Sequence, residues 1–265
     1  MTDTAPQLPD HSVPLTHGGR IPLLGFGTWQ IKGDDAVRAT SAALEAGYRH
    51  LDTATVYGNE GEVGRALAES GVGRDDVFVT TKCPPNRADQ ALDILRMSLE
   101  LLQTDHVDLW LIHWPGEGSV STAMWHTFIE ARESGLAREI GVSNFDVSLL
   151  DEVTTATGVT PAVNQIEWSP LLFNTETLAE HRARNIALEG YSALRGGTLE
   201  HPVIVEIAGR LGRTPAQVII RWHVQHEVIV IPKSVRAERI RANADIAGFT
   251  LTDEDMTALD GLGGN

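Results

Sequence analysis

Eight short apolar runs, each followed by a stretch of helical periodicity, recur along this chain roughly every 25 to 30 positions, with one longer gap before the last. They cover residues 23–27, 48–52, 77–82, 107–113, 139–143, 162–167, 186–192 and 228–233. Most read as near-continuous hydrophobic segments, the pattern of strands buried on both faces of a parallel sheet. Parallel neighbours need crossover helices, and the segments between supply them. One runs from about Asp35 to Ala46 and stops at Gly47; another opens with the capping box Thr214-Pro215-Ala-Gln217, with proline at the first helical position. The pattern predicts an α/β fold, a (β/α)8 TIM barrel, formed by residues 1–265 as a single domain. His17-Gly18-Gly19-Arg20 predicts a turn with positive φ, and hence an N-terminal β-hairpin closing the bottom of the barrel; residues 1–12 read as a loose tail.

In such barrels chemistry sits at the carboxyl ends of the strands. Asp52, Lys82, His113, Ser143, Asn144, Gln165, Tyr191 and Lys233 fall there. A carboxylate buried at a strand end is costly unless a cation pairs with it, so Asp52 requires a partner, and Lys82 is the candidate. Tyr57 follows Asp52 by five residues. An ammonium beside it is expected to bring the phenol towards working pH, and such a phenol can protonate a carbonyl oxygen. His113 can orient the same oxygen. Two alternatives use the same residues: a purely structural Asp52–Lys82 pair, and a metal site of His50, Asp52 and His113, which leaves Tyr57 and Lys82 idle.

A formal charge of −15 opposes nucleic acid or an anionic membrane as partner, so an anionic ligand must be held by local cations. Lys233-Ser234-Val235-Arg236, continuing to Arg239, supplies such a group where a strand passes into a helix, a natural phosphate cradle. The dinucleotide fingerprint is absent: Gly25-Phe26-Gly27 has no third glycine at the right spacing. Trp29, Trp114 and Trp168 adjoin strand ends and are expected to line an apolar substrate pocket, whereas Trp125 sits on a helix and reads as packing. Cys83 is the single cysteine and reads as a small apolar filler; no internal disulfide is possible. The N-terminus lacks a signal-peptide pattern and no apolar run is of spanning length, so a cytoplasmic protein is expected.

Several blocks resemble the aldo-keto reductases, and among them the bacterial 2,5-diketo-D-gluconate reductase-like branch. They are Gly25-Phe-Gly-Thr-Trp29, Gly47-Tyr-Arg-His-Leu-Asp-Thr-Ala54, Tyr57-Gly-Asn-Glu60, Thr81-Lys82, Asp108-Leu-Trp-Leu-Ile-His-Trp-Pro115, Gly141-Val-Ser-Asn-Phe145, Asn164-Gln-Ile-Glu167 and Ile231-Pro-Lys-Ser-Val-Arg236, in the family's order. The resemblance implies reduction of aldehydes or ketones, such as α-dicarbonyls or keto-sugars, by hydride transfer from NADPH.

It further implies a catalytic tetrad of Asp52, Tyr57, Lys82 and His113, with Tyr57 the general acid. Ser143, Asn144 and Gln165 match positions that hold the nicotinamide carboxamide, and Tyr191 the aromatic that stacks on its ring. Lys233, Ser234, Arg239 and Asn243 match the 2′-phosphate and adenine site. Gly27, Thr28, Trp29 and Asp52, with Ser192, Leu194 and Val235, complete the implied cofactor set. Trp29, Tyr57, His113, Trp114 and Trp168 form the implied substrate set; no metal is implied, and a monomer is expected. The sequence ends Leu262-Gly-Gly-Asn265, without the long C-terminal segment of many relatives, so an open pocket is expected. The rival reading within the resemblance is a nucleotide-binding redox sensor with negligible turnover.

Overall fold

The N-terminal hairpin comes first in the chain and sits under everything that follows. In the computed structural model, which describes residues 11–118 and 120–263, strand β1 (Ser12–Pro14) pairs antiparallel with β2 (Arg20–Pro22). Gly18 takes the positive φ of the turn, at 106°. Gly19 is needed for a different reason: its amide donates to Glu139 Oε1 at 2.8 Å, and a Cβ there would lie 2.7 Å from that oxygen. Glu139 lies near the start of its strand, so this bond fixes the hairpin across the amino-terminal end of the barrel. The tail expected over residues 1–12 lies outside the described residues as far as position 10, and Ser12 already opens β1.

Eight parallel strands follow: β3 (Phe26–Gly27), β4 (His50–Asp52), β5 (Phe78–Cys83), β6 (Val107–Ile112), β7 (Ala137–Ser143), β8 (Val163–Glu167), β9 (Ala187–Tyr191) and β10 (Ile229–Val230). Each pairs with its neighbour in sequence. The sheet closes through a parallel bridge from Leu24 to Val230, with Gly25 N donating to Val230 O and Val230 N to Leu23 O. The last strand is shorter than the predicted 228–233. Pro232 has no amide to donate, and beyond Val230 the backbone is held by single bonds such as Gly27 N to Pro232 O.

The crossover helices are α1 (Asp34–Glu45), α2 (Glu60–Glu69), α3 (Ala91–Leu102), α4 (Val120–Glu133), α5 (Val147–Thr157), α6 (Thr175–Ala183), α7 (Pro202–Leu211) and α8 (Pro215–Gln225), with α9 (Ala237–Ala244) and α10 (Asp253–Asp260) after β10. The predicted capping box at Thr214 is formed, with Gln217 N donating to Thr214 Oγ1 and Thr214 N to Gln217 Oε1. All six residues of β6 are buried. Trp110 stacks on Phe128 of α4, so by strand alternation Leu109 and Leu111 fill the barrel interior. None of the helices among the described residues is long and apolar enough to cross a membrane.

Candidate active site

Three strands bring three charged or polar side chains to one end of the barrel because each ends on such a residue. Asp52 closes β4, Lys82 lies at the penultimate position of β5, and His113 follows β6. Lys82 is fully buried and its ammonium donates to both Asp52 oxygens at 2.7 Å and to Thr53 O at 2.9 Å. Gln165 on β8 adds an amide bond to Asp52 Oδ2 at 2.8 Å. With both Asp52 oxygens occupied, the alternative in which Asp52 grips a metal together with His50 and His113 has no free carboxylate. Burial alone would pull the lysine down, but the negative charges around it, Asp52 foremost, raise it above its ordinary value, so it stays charged.

Tyr57 ends a turn of 3-10 helix (Thr55–Tyr57), and its hydroxyl stands 3.4 Å from Lys82 Nζ. The turn is pinned from several sides. Thr55 Oγ1 donates to Lys82 O, and the buried Asn59 accepts from Thr53 Oγ1 while donating to Thr28 O and Ile31 O. The expectation that Lys82 would bring the phenol down is reversed in net. Burial raises Tyr57 above the ordinary phenol range, and the lysine only opposes that rise. The result is a phenol that keeps its proton, beside a cation that favours giving it up.

His113 packs edge-on to Tyr57 with ring centres 5.7 Å apart. Burial, and then the Lys82 charge, push its imidazole down to about 3, so it is neutral, and its Nδ1 has no hydrogen-bond partner. Cys83 is buried, and burial pushes its thiol up to about 12, in keeping with a filler.

A cavity of about 990 Å³ opens over these groups. Asp52, Tyr57 and His113 lie on its floor, with Trp29 and Trp114 partly exposed at its wall. Ser143, Asn144, Gln165 and Tyr191 line it as well. They form one hydrogen-bonded run: Tyr191 Oη donates to Asn144 Oδ1 at 2.8 Å, Asn144 Nδ2 to Ser143 Oγ at 3.0 Å, and Ser143 Oγ to Gln165 O at 2.7 Å.

Lys233, Ser234, Arg239 and Asn243 also line it, together with Ser192, Leu194 and Gly27, the last in register with Asp52. Lys233 and Arg239 are exposed and have no ion-pair partner among the described residues. At Gly27 a Cβ would lie 2.7 Å from Ile231 O, so only glycine lets the wall form. Gln30, Asn144 and Ser192, all on the cavity, hold positive φ of 62°, 61° and 57°. Strained backbone of this kind concentrates at functional sites.

Three expected members are placed elsewhere. Thr28 is buried behind the wall, its hydroxyl donating to Asp52 O at 2.9 Å. Val235 is exposed and does not line the cavity, because the chain turns into α9 there. Trp168 is only 2% exposed and packs edge-on to Phe173, with ring centres 5.8 Å apart. It belongs to an aromatic cluster with Trp222 and His226 behind β9, and β9 separates it from the cavity. Arg236 also lies off the cavity wall. Residues not singled out from the sequence include Asn59, Gln30 and Glu189; the last was signalled only by a carboxylate in the middle of an apolar strand.

The sequence model of the Aldo/keto reductase family matches residues 23–263. An aldo-keto reductase of Mycolicibacterium smegmatis is 46% identical over 254 residues, covering 94% of this chain and 92% of that protein. A Corynebacterium protein named 2,5-diketo-D-gluconic acid reductase B is 43% identical over 263 residues, covering 97% and 94%. The crystal structure of an aldo/keto reductase from Brucella melitensis superposes with a TM-score of 0.92 at 44% identity, covering 97% of this chain and all of that one. With strand ends, pocket and near full-length similarity in agreement, the chain belongs to the aldo/keto reductase family of oxidoreductases.

Proposed function

We propose that this protein is an NADPH-dependent reductase of small aldehydes and ketones, acting as a monomer, with Tyr57 as the proton donor. The observation that carries the reading is the chain Asp52–Lys82–Tyr57, whose last hydroxyl opens into the cavity beside a neutral His113. The residues also suit the cofactor. Tyr57 and Arg239 line one cavity, in which Lys233 and Arg239 have no acidic partners among the described residues and Ser143, Asn144 and Gln165 bring amide and hydroxyl groups. Lys233 and Arg239 would hold the phosphate-bearing end, and Tyr191 would cover the nicotinamide. When bound, NADPH supplies the hydride that the carbonyl carbon accepts.

The chain's own residues do the rest. His113, neutral and on the cavity floor, orients the substrate oxygen towards Tyr57. As negative charge grows on that oxygen, Tyr57 gives up its hydroxyl proton to it, and the Lys82 ammonium stabilises the phenolate left behind. Asp52 holds Lys82 in place and keeps it charged. Trp29 and Trp114 shield the reacting carbonyl from water.

The substrate class is open to a panel of aldehydes, α-dicarbonyls and keto-sugars, within which the name of the corynebacterial relative points to a diketo sugar acid. The test is a fluorescence titration with NADPH and NADH followed by turnover on that panel. Tight NADPH binding with turnover on at least one member is the expected result. Tight binding with none would replace the reductase by a nucleotide-binding sensor, and no binding would overturn the cofactor site.

A further inference from the structure

The tetrad does not account for every titratable group in the upper barrel. Glu189 of β9 stands in register with Gln165 of β8 and Ile229 of β10, its side chain is fully buried, and neither carboxyl oxygen has a hydrogen-bond partner among the described residues. Facing it is His50 of β4, equally buried, with Nε2 3.7 Å from Glu189 Oε1, beyond a good hydrogen bond. His50 Nε2 lies 3.2 Å from Thr80 Oγ1 of β5, and the ring is backed by Gly25, where a Cβ would come within 2.5 Å of Nδ1. The charged and titratable groups within electrostatic reach are His50 and Asp52 from β4, Lys82 from β5 and Tyr57 from the following turn; Gln165 and Ile229 bring no charge.

We propose that Glu189, backed by His50, is a positioning residue of the reductase site that acts on Tyr57 and Lys82 by its charge and sets where proton donation fails on the alkaline side. The inference rests on the reductase reading above. Burial in a dry interior favours the protonated form of this carboxyl and outweighs the neighbouring Gln165 amide and Lys82 charge, both of which favour the carboxylate. Burial, and then the Asp52 charge, push Glu189 up to about 8. His50, which burial pushes down to about 3, remains neutral and offers no compensating charge.

Below its ionisation Glu189 is neutral and leaves Tyr57 to Lys82 alone. Above it, a new carboxylate lies one strand from Gln165, whose amide bonds Asp52 beside Lys82, and its charge disfavours phenolate and favours ammonium, so both hold their protons to higher pH. Removing the carboxyl therefore moves the alkaline failure of the reaction to lower pH.

Two measurements decide it. In protein carrying carbon-13 at the glutamate carboxyl, the Glu189 resonance, identified by its loss in Glu189→Gln, titrates well above an ordinary glutamate. A midpoint in the ordinary range overturns the proposal, and this result needs no turnover. In the pH profile of kcat, Glu189→Gln shifts the alkaline limb down by roughly 0.5 to 1 unit, lowering kcat about 3- to 10-fold on that limb, while Glu189→Asp recovers most of the shift. Limbs that coincide, with only KM or stability altered, reduce Glu189 to a packing residue and overturn it. If Glu189→Gln does not fold, Glu189→Thr provides the smaller uncharged variant for both measurements. Absence of turnover in the wild-type protein counts against the reductase reading alone, and the carboxyl titration then decides whether Glu189 is electrically part of this site.

Discussion

The two ends of the barrel each bury an aspartate against cations, and only one of them leaves anything to spare. At the amino-terminal end Asp108 accepts from Arg74 Nη2 at 2.8 Å, Arg138 Nη1 at 3.1 Å and Val79 N at 2.9 Å. The arginines are themselves used up: Arg74 also donates to Val77 O, His106 O and Thr104 Oγ1, and Arg138 to Asp75. At the carboxyl end Asp52 is satisfied as fully by Lys82 and Gln165, but the run continues through Lys82 to a Tyr57 hydroxyl at 3.4 Å that faces a cavity of about 990 Å³. The opening at the other end, bordered by Asp108, is about 240 Å³. A buried ion pair therefore says little by itself. What separates structure from chemistry is whether the network closes on itself or ends on a group with bonding capacity left.

Tyr57→Phe removes that end group and nothing else. Turnover on any carbonyl substrate should fall by about 10³-fold or more, while NADPH affinity stays within about twofold, since the proton matters only as charge develops on the substrate oxygen. Steady-state kinetics beside a fluorescence titration checks it. Equal losses of binding and turnover would make the phenol a binding group and erase the distinction between the two ends.

Asp108→Ala tests the closed network. It leaves the largely buried Arg74 without a carboxylate, while Arg138 keeps only Asp75, and the folded state should lose about 3 kcal/mol. Urea unfolding measures the loss, and kcat per folded molecule should remain within about twofold. A mutant of normal stability with reduced kcat would mean that the lower network reaches the site.

The cations sharpen the same contrast. Arg74 and Arg138 at the lower end are paired with carboxylates, whereas Lys233 and Arg239 at the cavity have no ion-pair partner among the described residues. Arg239→Ala should weaken NADPH binding about tenfold and NADH binding little, because one charge-assisted phosphate contact is lost. Parallel losses for the two nucleotides, read from their dissociation constants, would remove Arg239 from phosphate recognition.

Much of this was legible in the chain because strand position carries the information. Asp52 sits at the carboxyl end of an apolar run and Asp108 at the second residue of another, and in a parallel barrel those two places face opposite ends. The hydrophobic runs located the strands to within a few residues, since full burial forces continuous apolar sequence. Linear spacing did not weigh burial against charge: Lys82 beside Tyr57 suggested a lowered phenol, while enclosure of the ring raises it. Nor did it foresee Glu189, whose strand reads as Ala-Leu-Glu-Gly-Tyr, with no indication of which carboxyl lacks a partner. Asn59 was equally hidden, because its three bonds hold together segments separated in sequence.

Trp168 marks the limit of reading by adjacency. It follows Glu167 at the end of β8, the same relation that His113 has to β6, yet His113 faces the cavity and Trp168 turns away from it. The cause lies in the next segment: Pro170–Leu172 forms a 3-10 turn that brings Phe173 over the indole, and Trp168 N donates to Tyr191 O at 3.2 Å, tying this backbone to the cavity strand. Its backbone thus ties to Tyr191 while its side chain packs by Gly190 without reaching the cavity. Trp168→Phe keeps an aromatic ring in the cluster and deletes an indole nitrogen that has no partner, so relative kcat/KM across the carbonyl panel should change by less than about twofold and stability by about 1 kcal/mol. A reordered substrate preference would show that the aromatic cluster steers the pocket through Tyr191, and that the boundary between scaffold and site lies deeper than the cavity wall.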